Sequence, residues 1–111
     1  MPKTPPSDAA RTRYEELVEF AESRGALRAQ MFGSPSLRFE NGKHFACLSG
    51  ENMIFKVTDA ALREELLALP GARNFDPSGS RPMREWVQLP PEHAARYEEV
   101  AAAVLAAGPS A

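Results

Sequence analysis

The sequence predicts an α+β fold: a two-layer α/β sandwich with element order α-β-β-β-α-β-β-α, in which helices pack against an antiparallel sheet. Three observations lead there. Residues 8–24, 59–71 and 92–108 each place apolar side chains at helical spacing. Between them, short runs alternate apolar with polar residues and are broken by turn signals such as Asn41-Gly42. Finally, 111 residues without an internal repeat, 43% hydrophobic and 25% charged, make one ordinary globular domain.

The order of elements follows from local chemistry. Residues 1–7, MPKTPPS, hold three prolines and nothing suited to a core, so they read as a disordered tail ahead of a single domain over 8–108. Ser7 or Asp8 can cap the first helix, because a short side-chain oxygen accepts an orphan amide proton. Ala10, Tyr14, Leu17, Val18 and Ala21 form its buried stripe, and Gly25 ends it. Met31 and Phe32 are expected to fill the core where the first strand starts, with a backbone bulge at Gly33 before Pro35. Leu37 and Phe39 then alternate with Ser36, Arg38 and Glu40. Asn41-Gly42 marks a tight hairpin, since both residues tolerate positive φ. "HFACLS" and "NMIFKVT" give the next two strands, joined at Ser49-Gly50-Glu51. On the last of these Met53, Phe55 and Val57 share a face, with Ile54 and Lys56 opposite.

Thr58 or Asp59 caps the second helix, lined by Leu62, Leu66 and Leu69 and ended by Pro70-Gly71. "ARNF" and "REWVQL" read as two more strands around the turn Asp76-Pro77-Ser78-Gly79. Pro90-Pro91 suits a helix start, where the missing amide proton costs nothing. Tyr97, Val100, Ala101, Val104 and Leu105 face inward along the last helix, which closes at Gly108-Pro109 and leaves a short tail over 109–111. Five strands, three helices and no second domain are the expectation.

Charge divides by layer. The net charge is −2. The three helical segments carry −2 each, whereas 25–58 carry +2 and 72–91 carry +1, so an acidic helical layer should cover a mildly basic sheet. This balance argues against a dedicated nucleic-acid binder, whose phosphate contacts need clustered cations. No apolar run is long enough to span a bilayer, and the start lacks the apolar core of a signal peptide. The single cysteine, Cys47, cannot form an internal disulfide, and a reducing, cytoplasmic setting is expected.

Catalytic and metal chemistry find little support. Strand alternation sets His44 and Cys47 on opposite faces, so they form no dyad, and Cys47 shares parity with Phe45 as a small buried side chain. His44 and His93 lack metal-ligand spacing. Glu15, Glu19 and Glu22 share a helix face, read as solvated, with Arg11 placed to pair with Glu15 at i+4. Phosphate-binding glycine motifs are absent. No catalytic, cofactor-binding or metal-binding residue is therefore assigned. Residues 75–92 are the informative stretch: Arg81 and Arg84 flank Met83 and, with Arg73, put three guanidiniums on one hairpin, where Trp86 shares parity with Arg84 and Gln88 and not with Val87. Trp86 is either half exposed beside Arg84, in cation–π reach, or closing the edge of the core beneath an arginine lid. Arg73, Arg81, Arg84 and Trp86 form the candidate interaction surface.

Met31-Phe32-Gly33, then "FENGKHFACL" and "MIFKV", then "FDPSGSRPMREWVQLP", taken in order and spacing, resemble the N-terminal domain of the TfoX competence-regulator family over about residues 14–107. The related MmcQ/YjbR-like proteins, often labelled DNA-binding, share the Gly42-Lys43-x-Phe45-Ala46 hairpin and the Trp86-Val87 pair. The resemblance implies an α-β3-α-β2-α two-layer fold, no catalytic residues, and a bacterial regulator working with other transcription factors. TfoX proteins carry a second, C-terminal domain, so a stand-alone domain is expected here. The resulting expectation is a non-enzymatic cytoplasmic interaction or regulatory module with a protein partner, needing no cofactor, not membrane-bound, and compatible with a homodimer. The alternatives are direct DNA binding, a small-ligand pocket between sheet and helices, and an enzyme built from scattered groups such as His44, Asp76 and Arg84.

Overall fold

Ser7 starts the first helix in two ways. Its hydroxyl accepts from the Ala10 amide at 3.1 Å, and its own amide and hydroxyl donate to the Glu51 carboxylate at 2.9 and 2.6 Å. The helix, α1 (Asp8–Glu22), buries the stripe expected of it: Ala10, Tyr14, Leu17, Val18 and Ala21. It stops at Glu22, two residues before the sequence boundary, because Gly25 takes φ of 95° and returns the Ala26 amide to the Ala21 carbonyl at 3.0 Å. The computed structural model describes residues 6–31, 33–76 and 83–108.

Among the described residues the sheet has six antiparallel strands, one more than expected: β1 (Leu27–Met31), β2 (Ser34–Arg38), β3 (His44–Ser49), β4 (Asn52–Lys56), β5 (Arg73–Phe75) and β6 (Met83–Leu89). The additional strand arises at Gly33. With φ of 79° this residue lies in the turn between two strands, not in a bulge within one, and Met31 pairs with Ser34 across it. Phe32, expected in the core, falls outside the described residues. The remaining order holds, and the strands lie side by side as β1-β2-β3-β4-β6-β5. The Asn41-Gly42 hairpin forms as read: Gly42 has φ of 93°, and the Asn41 side chain accepts from the Lys43 amide at 3.0 Å.

A bulge in β3 changes which side chains meet. Leu37 pairs with Ala46 and Arg38 with His44, so Phe45 is an extra residue on its strand. Phe45 and Ala46 consequently both join the core. Upstream of the bulge, side-chain parity is inverted.

The buried residues of all three helices merge with Leu37, Phe45, Ala46, Leu48, Met53, Phe55, Val57, Val87 and Leu89 in one cluster. The layer architecture is thus helices on one face of the sheet. The second helix, α2 (Ala60–Leu67), is capped by Asp59, whose carboxylate accepts from the Ala61 and Leu62 amides. Leu66 is its buried anchor, and it ends before Pro70-Gly71. The expected last helix is divided. Pro91–Arg96 form a 3-10 turn with a non-helical His93, and α3 (Tyr97–Ala107) follows, burying Tyr97, Val100, Ala101 and Val104. The His93 ring Nε2 donates to the Pro70 carbonyl at 2.7 Å, which fixes the proton on that nitrogen and ties the turn to the end of α2. No helix among the described residues is long and apolar enough to cross a membrane.

Candidate interaction surface

Strand register assigns each side chain to a face. Ile54, Gln88 and Arg73 lie in one row across β4, β6 and β5, and Lys56 lies opposite Trp86 in the next. Strand alternation puts Arg84, Trp86 and Gln88 on this same side, away from Val87 and Leu89 in the core. On β2, Arg38 points the same way, since its neighbour Leu37 faces the core. The helix-free face therefore carries Arg38, Lys56, Arg73 and Arg84, and no carboxylate among its described strand positions.

Arg73 and Arg84 are exposed, and no carboxylate among the described residues forms an ion pair with either. Trp86 is half-buried and lies outside the core cluster, on the rim between Lys56 and the β5 edge. The register between β5 and β6 slips after Asn74, and the Asn74 amide bridges the gap by donating to the Arg84 carbonyl at 2.9 Å. Arg81 lies outside the described residues, as does the Pro77-Ser78-Gly79 part of the turn. The cation–π contacts among the described residues are Arg24 over Phe20 and Arg28 over Tyr14, both on α1 rings, so Arg84 does not stack on Trp86. Two cations of this face, Arg38 and Lys56, were absent from the sequence-based set. The alternation at Lys56 already placed it away from the core; what linked it to Trp86 is the insertion of β6 beside β4, a long-range pairing.

The same face corrects the expected separation of His44 and Cys47. Ser36 pairs with Cys47 across β2 and β3, and its hydroxyl is hydrogen-bonded to His44 Nδ1 at 2.9 Å. The bulge at Phe45 brings His44, Ser36 and Cys47 to one side and sends Phe45 to the other, so Cys47 does not share a face with Phe45. Cys47 is nonetheless buried as expected. Ser36 and Ile54 are fully buried too, so the centre of this face is closed to solvent and a partner would meet the surrounding rim. A fully buried Ser36 hydroxyl cannot reach a substrate as a nucleophile.

On the helical side three arginines meet carboxylates, whereas Arg63 donates to the Val57 carbonyl. Arg28 makes two 2.6 Å hydrogen bonds to Glu15, Arg13 reaches Glu51 at 3.4 Å, and Arg96 bridges Glu65 at 2.9 Å and Glu99. Glu15 is therefore held by Arg28, not by Arg11 as its i+4 spacing suggests; a bidentate fork outcompetes a single exposed helix pair. Those bonds lower the Glu15 carboxyl below its ordinary range and raise the Arg28 guanidinium further. Hydrogen bonds from Ser7 lower Glu51 likewise. Among the described residues no group of three or more His, Cys, Asp or Glu side chains is placed to hold a metal ion. Two broad hollows lie on α1, one along its acidic outer face and one of about 590 Å³ between α1 and β1, lined by Arg11, Tyr14, Glu15, Arg28, Ala29, Gln30 and Pro35.

Compared with protein-family models, curated proteins and solved structures, the chain matches none.

Proposed function

We propose that this protein is a non-enzymatic interaction module, regulatory in the manner the TfoX resemblance implies, whose helix-free sheet face receives an acidic segment of a protein partner. One observation carries the reading. Arg38, Lys56, Arg73 and Arg84 share that face with Trp86 and with no carboxylate at its described strand positions, and Arg73 and Arg84 are exposed and form no ion pair among the described residues. Exposed guanidiniums such as Arg73 and Arg84 beside an amphipathic aromatic residue suit an anionic chain with some apolar content.

Trp86 is the sole tryptophan, so its fluorescence reports on this face alone. Titration with an acidic peptide at low salt should shift the emission. The double reversal Arg73→Glu with Arg84→Glu should weaken that binding by about tenfold or more, since opposed charges become like charges. Both side chains are exposed, so the fold should be unaffected. Binding that ignores the reversal, or no response to any acidic peptide, defeats the proposal. The same cations favour a second reading, direct DNA binding. A duplex that displaces the peptide, with affinity falling steeply as salt rises, would select it.

A further inference from the structure

The sheet has two edges, and they are unlike. β5 is three residues long and its register slips. β1 is five residues long, pairs among the described residues with β2 alone, and has the sequence LRAQM, without proline or glycine. Sheet edges are usually guarded by charge, proline, bulges or brevity, because free amide and carbonyl groups template further pairing. The one charge on β1, Arg28, is occupied by Glu15.

The orientation of β1 is also inverted. Arg28 pairs with core-facing Leu37 and lies over the Tyr14 ring on the helical side, so Leu27, Ala29 and Met31 face the helix-free side. Leu27 is 37% exposed, the one large hydrophobic side chain so exposed among the described residues. Beside this edge runs the hollow between α1 and β1, lined in part by Arg28, Ala29 and Gln30.

We propose that β1 pairs antiparallel with β1 of a second copy of this chain, on a two-fold axis at Ala29, joining two six-stranded sheets into one. The register is decided by charge and fit. An axis at Ala29 sets Leu27 against the partner's Met31 on the helix-free side and Arg28 against the partner's neutral Gln30, and it uses the whole strand. An axis at Arg28 would set the two guanidiniums face to face; one at Gln30 would leave Leu27 without a strand partner. The two-fold makes the contact self-complementary, as closed dimers require. Five residue pairs fall short of the roughly 800 Å² per partner of a standard stable interface, so the dimer should dissociate on dilution. Its consequence is two cationic faces on one continuous surface, able to engage a partner at two points.

Sedimentation equilibrium of the full chain over a wide concentration range tests this. A reversible monomer–dimer equilibrium is expected. Gln30→Arg, which opposes the partner's Arg28, should weaken it about tenfold or more, Leu27→Lys likewise, and Gln30→Glu should tighten it. Ala29→Cys should form a disulfide-linked dimer on mild oxidation, whereas native Cys47 is buried. A monomer at every concentration overturns the proposal, and so does a dimer indifferent to these variants. Neither result depends on whether Trp86 responds to acidic peptides.

Discussion

Tyr14 donates its phenolic proton to the carbonyl of Ser36 at 2.9 Å, tying α1 to β2 inside the core. Ser36 is held twice, by this bond at its carbonyl and by His44 at its hydroxyl, and it is the one fully buried polar residue among those described. Removing the phenol oxygen with Tyr14→Phe keeps the ring under Arg28 but deprives the carbonyl of a donor. A loss of about 1 kcal/mol in unfolding free energy is expected, the usual value of a buried hydrogen bond. Urea denaturation measures it, and an unchanged midpoint would show that the bond contributes nothing.

Alkaline pH should act on both tyrosines together. Burial raises the Tyr14 phenol above its ordinary value of 10.0 and pushes Tyr97 up to about 12. These are the two tyrosines of the chain. Above pH 10 the unfolded chain releases protons that the folded protein retains, so stability is whole below that value and declines as pH rises through the folded ones. Native protein at pH 10 should show less tyrosinate absorbance than protein in denaturant at the same pH, whose tyrosines should be about half ionised. Equal absorbance in the two samples would contradict the burial argument.

Much of this arrangement could be read from local pattern. The stripe from Ala10 to Ala21 needs only helical spacing, and Asn41-Gly42 needs only two residues tolerant of positive φ. What escaped depends on pairing between distant segments. β1 alternates well, but its apolar set faces away from the helices, and Gly33 fits a bulge as well as a turn until its neighbours are known. The inversion at Phe45 exists only in the register of β3 against β2, so His44 and Cys47 could not be placed together from β3 alone. The cationic face was half legible: Arg73, Arg84 and Trp86 came from one stretch, Arg38 and Lys56 from the topology.

Gly71 joins α2 to β5 with φ of 83°, and a Cβ there would meet Pro90 Cγ at 3.1 Å and Glu92 Oε1 at 3.2 Å. At Gly25 φ is 95° and a Cβ would meet nothing within 4 Å. Both alanine variants bear the cost of a left-handed backbone, roughly 1–2 kcal/mol. Gly71→Ala should lose more than Gly25→Ala, because Pro90, at the entry to the 3-10 turn, is a rigid neighbour. Thermal melts of the two variants side by side decide it, and equal losses would mean that the Pro90 contact yields freely.

Ser7 and Glu51 give the protein a predictable acid sensitivity. The amide and hydroxyl of Ser7 converge on the Glu51 carboxylate, which joins the start of α1 to the turn between β3 and β4 and lowers the carboxyl below its ordinary value of 4.5. A lowered folded value means that the unfolded chain binds the proton first on acidification. The stabilisation is therefore complete above pH 4.5 and is lost as pH falls through the folded value. Glu51→Gln retains the shape and one acceptor oxygen but removes the charge. Its melting temperature should lie below that of the parent protein at pH 7, and the two should converge as pH falls through the lowered folded value. Because Glu51 is exposed, the gap should also narrow in high salt, where its pairing with Arg13 is screened. A gap that stays constant from pH 7 to pH 3 would show that the charge on Glu51 does not hold α1 to the sheet.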